Sequence, residues 1–389
     1  MTQAPSMPVH MRRNRFDPDD TLAAMREQRP VHRISTLFQS DAWLVTRYDD
    51  VREVLGDAGR FSNVGRSPQA GQTDSSGFLL AYDPPDHTRL RRMLTPEFTV
   101  RRMERLRPRI EQIVADHLDA MAAAGAPVDL MQAFALPVPS LVICELLGVP
   151  YEDRGDFQRR SNARVDMSIS FEERLAVTRE SQEYMASLVA EQRKTPGDDL
   201  LGMLVRDHGH ELTDRELTGI GDLLLLAGHE TTANMLGLGT LLLLQHPDQL
   251  AQVRDNPGAA EPAVEELMRY LTIVHSGIPR TATQDTVIGG QRIEAGDMVV
   301  VSLPSANRDP SQGDGMDDFD VMRKAARHVA FGHGVHHCLG APLARMEMRI
   351  AYPALFRRFP ALRLAVPIEE VPFRSFSFVY GVSALPVAW

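Results

Sequence analysis

One cysteine in this chain stands where chemistry could be done. The run Phe331-Gly332-His333-Gly334-Val335-His336-His337-Cys338-Leu339-Gly340 sets Cys338 in a glycine-rich loop. A helical pattern follows through Ala341, Leu343, Ala344, Met346, Met348 and Ile350. Glycines let a backbone approach a flat ligand closely and take up positive φ. A helix starting at the cysteine aims its N-terminal amides at the sulfur, which favours thiolate. A thiolate held this way suits a single open-faced metal centre, haem iron foremost.

A lone cysteine is usually inert core, and Cys144, within Leu141-Val142-Ile143-Cys144-Glu145-Leu146-Leu147, fits that description. Cys338 does not, because histidines and glycines crowd it. His336, His337 and Cys338 are all zinc-ligand types, but three adjacent side chains converge poorly on one tetrahedral ion, and no C-x-x-C partner exists. Gly332-x-Gly334 opens like a dinucleotide loop, but His337 occupies the place of its last glycine.

A second group interrupts an apolar helical run from Leu223 to Leu244: Ala227-Gly228-His229-Glu230-Thr231-Thr232. Asp222, His229, Glu230 and Asn234 argue against a membrane span. His229-Glu230 begins like the zinc motif H-E-x-x-H, but Ala233 stands where the second histidine belongs. Taken alone, Thr231 and Thr232 would be helix residues bonding back to the preceding turn. Beside an oxygen-activating metal they gain another role. A hydroxyl next to a carboxylate, in a helix opened locally by Gly228, can carry protons from solvent.

The Cys338 loop resembles the haem-ligating signature of cytochrome P450 enzymes, F-G-x-G-x-H-x-C-x-G, with every fixed position matched. Further motifs of that family occur in order along nearly the whole chain, and the soluble actinobacterial members are the most similar. The resemblance implies one mainly α domain over residues 1–389 with a minor β region. It implies haem b with Cys338 as the axial thiolate, and Phe331 and Gly332 in the haem loop. It assigns Ala227 and Gly228 to an oxygen groove, with Glu230 as acid and Thr231 as hydroxyl. His87, Arg91, Arg280 and His336 match propionate-binding positions, and imidazoles and arginine forks suit carboxylates.

Glu266-Leu267-Met268-Arg269 puts a carboxylate and a guanidinium at i and i+3, one helix face. By spacing alone this is a weak surface pair. It resembles the family's buried E-x-x-R pair, which has a structural role. Soluble bacterial members often add F-D-x-x-R, and Phe319-Asp320-Val321-Met322-Arg323 has that form, making Arg323 the expected third partner, with His328 behind it. Between Pro310 and Phe319 the chain departs from the family, carrying Ser311-Gln312-Gly313-Asp314-Gly315-Met316.

The implied activity is that of a haem-thiolate monooxygenase acting on a mostly apolar natural product such as a macrolide, terpenoid or steroid. The resemblance draws the pocket walls from the loop Phe61–Tyr82, Leu223–Leu226, Ile273–Ile278 and Phe376–Val379, with His275, Ser276 and Ser377 as polar points. Oxidative coupling remains open. A pure peroxygenase has no need of the Glu230-Thr231 pair, and a haem sensor is disfavoured by the same pair.

Composition agrees with an enzyme of this size. The chain has 389 residues, 43% hydrophobic, with two cysteines and a net charge of −10. Two cysteines exclude a disulfide framework and fit a reducing cytoplasm. The negative balance argues against general nucleic-acid binding. Met1 to Asp20 is polar, and no apolar stretch of about 20 residues occurs, so a soluble protein is expected. Against this balance, Arg89, Arg91, Arg92, Arg101, Arg102, Arg105, Arg107 and Arg109 cluster, opposed by Glu97 and Glu104. Such a cluster is a solvated face or a dock for an acidic ferredoxin or flavodoxin-type donor, supplied by its reductase. By the resemblance it lies on haem-proximal helices.

The elements that must hold these residues are mostly helical. Periodicity predicts a helix capped by Asp19 or Asp20 and running through Glu27, a strand at Ala42–Thr46 and a short helix from Asp50. Further helices are expected near 86–95, 101–124, 136–148, 152–164, 171–193, 214–245, 259–271 and 339–358. A β-rich patch is expected from Thr281 to Leu303, and short strands from Leu362 to Trp389.

Overall fold

The computed structural model describes residues 7–36, 40–64, 74–275, 279–324 and 327–389. Its helices, in chain order, begin with α1 (Thr21–Gln28), α2 (Tyr48–Gly56), α3 (Asp86–Leu94), α4 (Val100–Ala124), α5 (Pro137–Leu147), α6 (Arg154–Val165) and α7 (Phe171–Lys194). They continue as α8 (Leu200–His208), α9 (Asp214–Gln245), α10 (Pro247–Asp255), α11 (Ala260–Leu271), α12 (Leu303–Asn307) and α13 (Ala341–Arg358). The main sheet has five strands: β1 (Val31–Ser35), β2 (Asp41–Val45), β3 (Phe61–Ser62), β4 (Arg280–Ala282) and β5 (Met298–Val301). The chain is thus mainly α with a minor β region. It folds as two compact units: Met1–Pro68, Tyr82–Pro84 and Glu261–Cys338 make the first, and Gln69–Ala81, Pro85–Ala260 and Leu339–Trp389 the second.

The first unit is built on the sheet, in the order β1-β2-β5-β4-β3. β5 runs parallel to β2, pairing Val299 with Trp43 and Val301 with Val45; the other neighbours are antiparallel. Alternation along a strand sends successive side chains to opposite faces. Trp43, Val45, Val299 and Val301 therefore join Tyr48, Val51, Val54 and Leu55 of α2 in one core. Ala42, Leu44 and Val300 face the other way, against Leu22 of α1. Behind the sheet, Arg269 of α11 is fully buried, bonding Glu266 at 2.7 and 2.8 Å.

The second unit is organised by α9, which an apolar residue pattern all round its surface marks for burial on every side. Thr213 and Glu216 cap it with reciprocal bonds of 3.2 and 2.9 Å. α5 and α7 pack along it, and α13 packs against α4, α9 and α10. Tyr352 of α13 donates its hydroxyl to the carbonyl of Met235 on α9. A small sheet joins Val128–Asp129, Arg363–Leu364 and Pro386–Ala388.

Most expected helices lie within a few residues of their predicted bounds. Elements that were not expected include α8, α10, α12 and β1, the strand Val128–Asp129, and β3, which falls at the start of the segment Phe61–Tyr82 read as a loop. α13 begins at Ala341 rather than at the cysteine, because Gly340 is its N-cap and a proline occupies the first turn. Among the described residues no helix is long and apolar enough to cross a membrane.

Candidate functional site

Cys338 closes a loop that its own backbone holds shut. Its amide donates to the carbonyl of Phe331 at 2.8 Å, and its side chain is exposed. Gly332 and Gly334 take φ of 73° and 72°. Gly334 cannot be replaced without movement, since a Cβ there would lie 2.7 Å from the Leu55 carbonyl at the end of α2. The loop is therefore pressed against α2 while its cysteine stays accessible. Phe331 is buried, its ring 6.0 Å from that of His328 and 6.3 Å from that of His337. His336 ends a short 3-10 turn over Gly334–His336.

Arg280 provides the test of whether this unit fits haem. It lies in β4, 3% exposed. Among the described residues its Nε and Nη1 have no hydrogen-bond partner. Burial lowers its pKa to about 10, with Asp83 opposing. A buried guanidinium without a bonded carboxylate is costly, and a haem propionate is a group that would satisfy it. The exposed cysteine and the buried cation thus fit the two ends of a haem: iron and propionate.

The second unit carries the other predicted residues. His87 and Arg91 lie on one face of α3, His87 buried and Arg91 half-buried. On α9, Ala227 is exposed, whereas His229 and Glu230 are 0% and 1% exposed. Thr231 is part-exposed and its Oγ1 donates to the Ala227 carbonyl at 2.9 Å, leaving its lone pairs to accept. The helix runs unbroken through this segment, so the local opening expected at Gly228 is not present. Gly228 instead faces α5, where a Cβ would stand 2.7 Å from side-chain carbons of Ile143. Its small size allows close helix packing.

Glu230 is a buried carboxylate with cationic company. Burial pushes its pKa up, but the close imidazole of His229, then Arg374, outweigh this and hold it below the usual carboxylate range. Arg374 was not singled out from the sequence, and His229 was weighed there only as a zinc-ligand type and as a residue unsuited to a membrane span. Nothing in Phe373-Arg374-Ser375 marks an arginine that folds back on a residue so distant in the chain.

The structural pair Glu266–Arg269 is buried, and Arg323 completes it, its Nε 3.2 Å from both carboxylate oxygens. His328 pairs instead with Glu265, at 3.2 Å. The divergent stretch after Pro310 is pinned by the same arginines: Arg323 bonds the carbonyls of Asp314 and Gly315, and Arg269 that of Met316.

The expected pocket walls divide. Residues 65–73 and 276–278, which include Ser276, lie outside the described residues. Phe61 is a core residue of the first unit. His275 is 1% exposed, its Nδ1 3.5 Å from Nε of Arg13. The Ser377 hydroxyl is engaged by the carbonyl of Val165 at 3.1 Å. Four of the eight arginines of the basic cluster are ion-paired. Arg89 pairs with Glu216, Arg102 with Glu97, Arg107 with Glu104 and Arg109 with Glu145. Arg92, Arg101 and Arg105 remain exposed. Among the described residues, no three His, Cys, Asp or Glu side chains cluster as a metal site.

A family model described as cytochrome P450 matches residues 25–177 and 260–368. The stretch with Glu230 and Thr231 lies between the two matched parts. Full-length relatives cover it. Cytochrome P450-SU2 of Streptomyces griseolus is 49% identical over 96% of this chain and 94% of its own. The crystal structure of CYP105P1 in complex with filipin I superposes with a TM-score of 0.93 at 44% identity, covering 100% of this chain and 99% of that one. OxyC, implicated in an oxidative C–C coupling reaction during vancomycin biosynthesis, superposes with a TM-score of 0.88 at 44% identity, covering 97% and 95%. The chain therefore belongs to the cytochrome P450 family and has its fold. It is an oxidoreductase of the monooxygenase type, and the family implies haem with a thiolate-ligated iron.

Proposed function

We propose that residues 1–389 act as one soluble, cytoplasmic catalytic domain that binds haem b and inserts oxygen into a mostly apolar natural product, such as a macrolide, terpenoid or steroid. The observation that carries this reading is Glu230: a buried carboxylate on α9, held below the usual carboxylate range and followed in sequence by the part-exposed Thr231. A buried charge is expensive and is kept where chemistry uses it.

Haem with an axial thiolate, when bound, supplies oxygen activation and insertion of one oxygen atom into the substrate. The chain's residues do the rest. Cys338 gives up its proton and offers the sulfur, while Phe331 and Gly332 shape the loop around it. Arg280 and His336 would hold a propionate, and the resemblance assigns the same task to His87 and Arg91. Ala227, exposed on α9, keeps side-chain bulk off the oxygen groove, while Gly228 lets α9 pack closely on α5. Glu230 takes a proton from solvent and passes it to the Thr231 hydroxyl, and the apolar body of α9 keeps bulk water out. Electrons come from a ferredoxin or flavodoxin-type donor with its reductase.

A second reading is oxidative coupling, favoured by the likeness to OxyC. It uses the same haem-binding residues and differs in product. A pure peroxygenase or a haem sensor leaves the Glu230-Thr231 pair without a task. The test is a natural-product library screened by optical titration, followed by product mass. A gain of one oxygen atom supports hydroxylation or epoxidation. Loss of two hydrogens supports coupling. Spectral binding without turnover under donor, reductase and oxygen would overturn both.

A further inference from the structure

Glu230 is held on one side by its neighbour His229 and on the other by an arginine from the far end of the chain. Arg374 Nη1 lies 3.1 Å from its Oε2, and His229 Nε2 lies 3.3 Å from its Oε1. Asn234 Nδ2 reaches Oε2 at 3.4 Å and the Glu230 carbonyl at 2.7 Å. His229 has little freedom: it is 0% exposed and meets the ring of Phe157 edge-on at 5.1 Å. The carboxylate is thus bonded through Oε2, while among the described residues Oε1 has His229 close by but no hydrogen-bond partner.

Arg374 is itself held by the segment that carries it. Its amide donates to the carbonyl of Gly381 at 2.9 Å, and Phe373 bridges Val382. Further along, Phe378 donates to Val165 at 3.0 Å, Met167 donates to Phe376 at 2.9 Å, and Asp166 bridges Ser377. The segment is therefore fastened to the end of α6. That end is fastened to α9 in turn, because Arg164 grips Asp222 through two bonds of 2.7 and 2.9 Å, both side chains buried. Arg374 sits in a frame with backbone restraints on both sides.

We propose that Arg374 is a positioning residue for proton delivery: it fixes the Glu230 side chain and keeps it a carboxylate inside the protein. An acid that is permanently protonated cannot accept the next proton from solvent; a charged one can, and can hand it on to Thr231. The groups that face Glu230 are His229, Arg374 and Asn234, and only Arg374 carries a permanent charge. The proposal rests on the reading of Glu230 as the proton-carrying acid.

The test is the ionisation of Glu230 in the haem-loaded protein, followed by infrared absorption of its carboxylate, with Glu230→Gln subtracted. In wild type the band should be that of a carboxylate titrating below the ordinary range. Arg374→Gln should move the titration up by about 1–3 pH units, and Arg374→Lys should recover most of the shift. An unchanged titration in Arg374→Gln would overturn the proposal, and so would an Arg374→Lys variant no better than Gln. Should Arg374→Gln fail to fold, melting of Glu230→Gln is compared with that of Glu230→Gln/Arg374→Gln. Equal stability supports an action through Glu230, and a further loss contradicts it. A normal infrared result with Glu230→Gln still fully coupled would leave the positioning intact and sink the proton-carrier reading instead.

Discussion

Arg323 Nε stands 3.2 Å from both carboxylate oxygens of Glu266, the same group that Arg269 already holds through two bonds. One buried carboxylate thus serves two guanidiniums, and these also bond the carbonyls of Asp314, Gly315, Met316 and Asp318. Removing Arg269 leaves a buried charge with only a part-exposed partner. Arg269→Leu should cost about 3–5 kcal/mol. Arg323→Leu should cost less, about 1–3 kcal/mol, because Arg269 still neutralises Glu266. Urea midpoints of the two variants check the order; a larger loss from Arg323 would reverse the assignment.

Thr231→Ala should keep ligand binding but lose coupling. Thr231 follows Glu230 on α9 and, unlike it, is part-exposed; the Ala227 carbonyl accepts from its hydroxyl. Without it, reductant should be consumed and peroxide released, with product per oxygen falling about 10²-fold or more. Added peroxide should restore part of the turnover. Wild-type coupling in Thr231→Ala would remove this residue from the relay.

Glu347 of α13 is wholly buried, and among the described residues its Oε2 has no hydrogen-bond partner. Burial raises its pKa well above the ordinary carboxylate value. A carboxyl with a raised folded pKa costs nothing below its unfolded pKa. Above that value the unfolded chain sheds the proton and the folded one keeps it, so stability falls as pH rises. The slope should approach 1.4 kcal/mol per pH unit, roughly, until the folded pKa is reached. Glu347→Gln should therefore melt higher than wild type at neutral pH, with the advantage vanishing in acid. A pH-independent difference would refute the assignment.

How far the sequence carried can be seen residue by residue. Cys338 with its glycines, Glu266 with Arg269, and Arg323 all stand in short local patterns, and local spacing is what a sequence displays. Arg374 was invisible, because its partner Glu230 is reached only through the fold. Gly228 was misjudged for a related reason: what its missing side chain accommodates is Ile143 on another helix. α8 and α10 did carry signals, Asp199 as a capping side chain and a proline in the first turn of α10. The arginine cluster misled in degree, since Glu145 and Glu216, remote in sequence, neutralise two of its members.

The remaining exposed arginines should govern donor docking. Arg101 and Arg105 are both exposed on α4 with no ion pair among the described residues. Arg101→Glu with Arg105→Glu should slow reduction by an acidic ferredoxin about tenfold at low salt and flatten its salt dependence, since screening acts over about 8 Å at physiological ionic strength. Reduction by dithionite should be unchanged. A wild-type rate with the ferredoxin would make this a solvated face.

The central claim is that the Cys338 thiolate holds haem iron. The direct measurement is the absorption spectrum of the reduced, carbon-monoxide-bound protein, wild type beside Cys338→Ser. The account predicts the strongly red-shifted Soret band of thiolate ligation in wild type and its loss in Cys338→Ser, a hydroxyl being a far weaker donor. A Cys338→Ser protein that keeps the band, or a haem-loaded wild type that never shows it, would contradict the account.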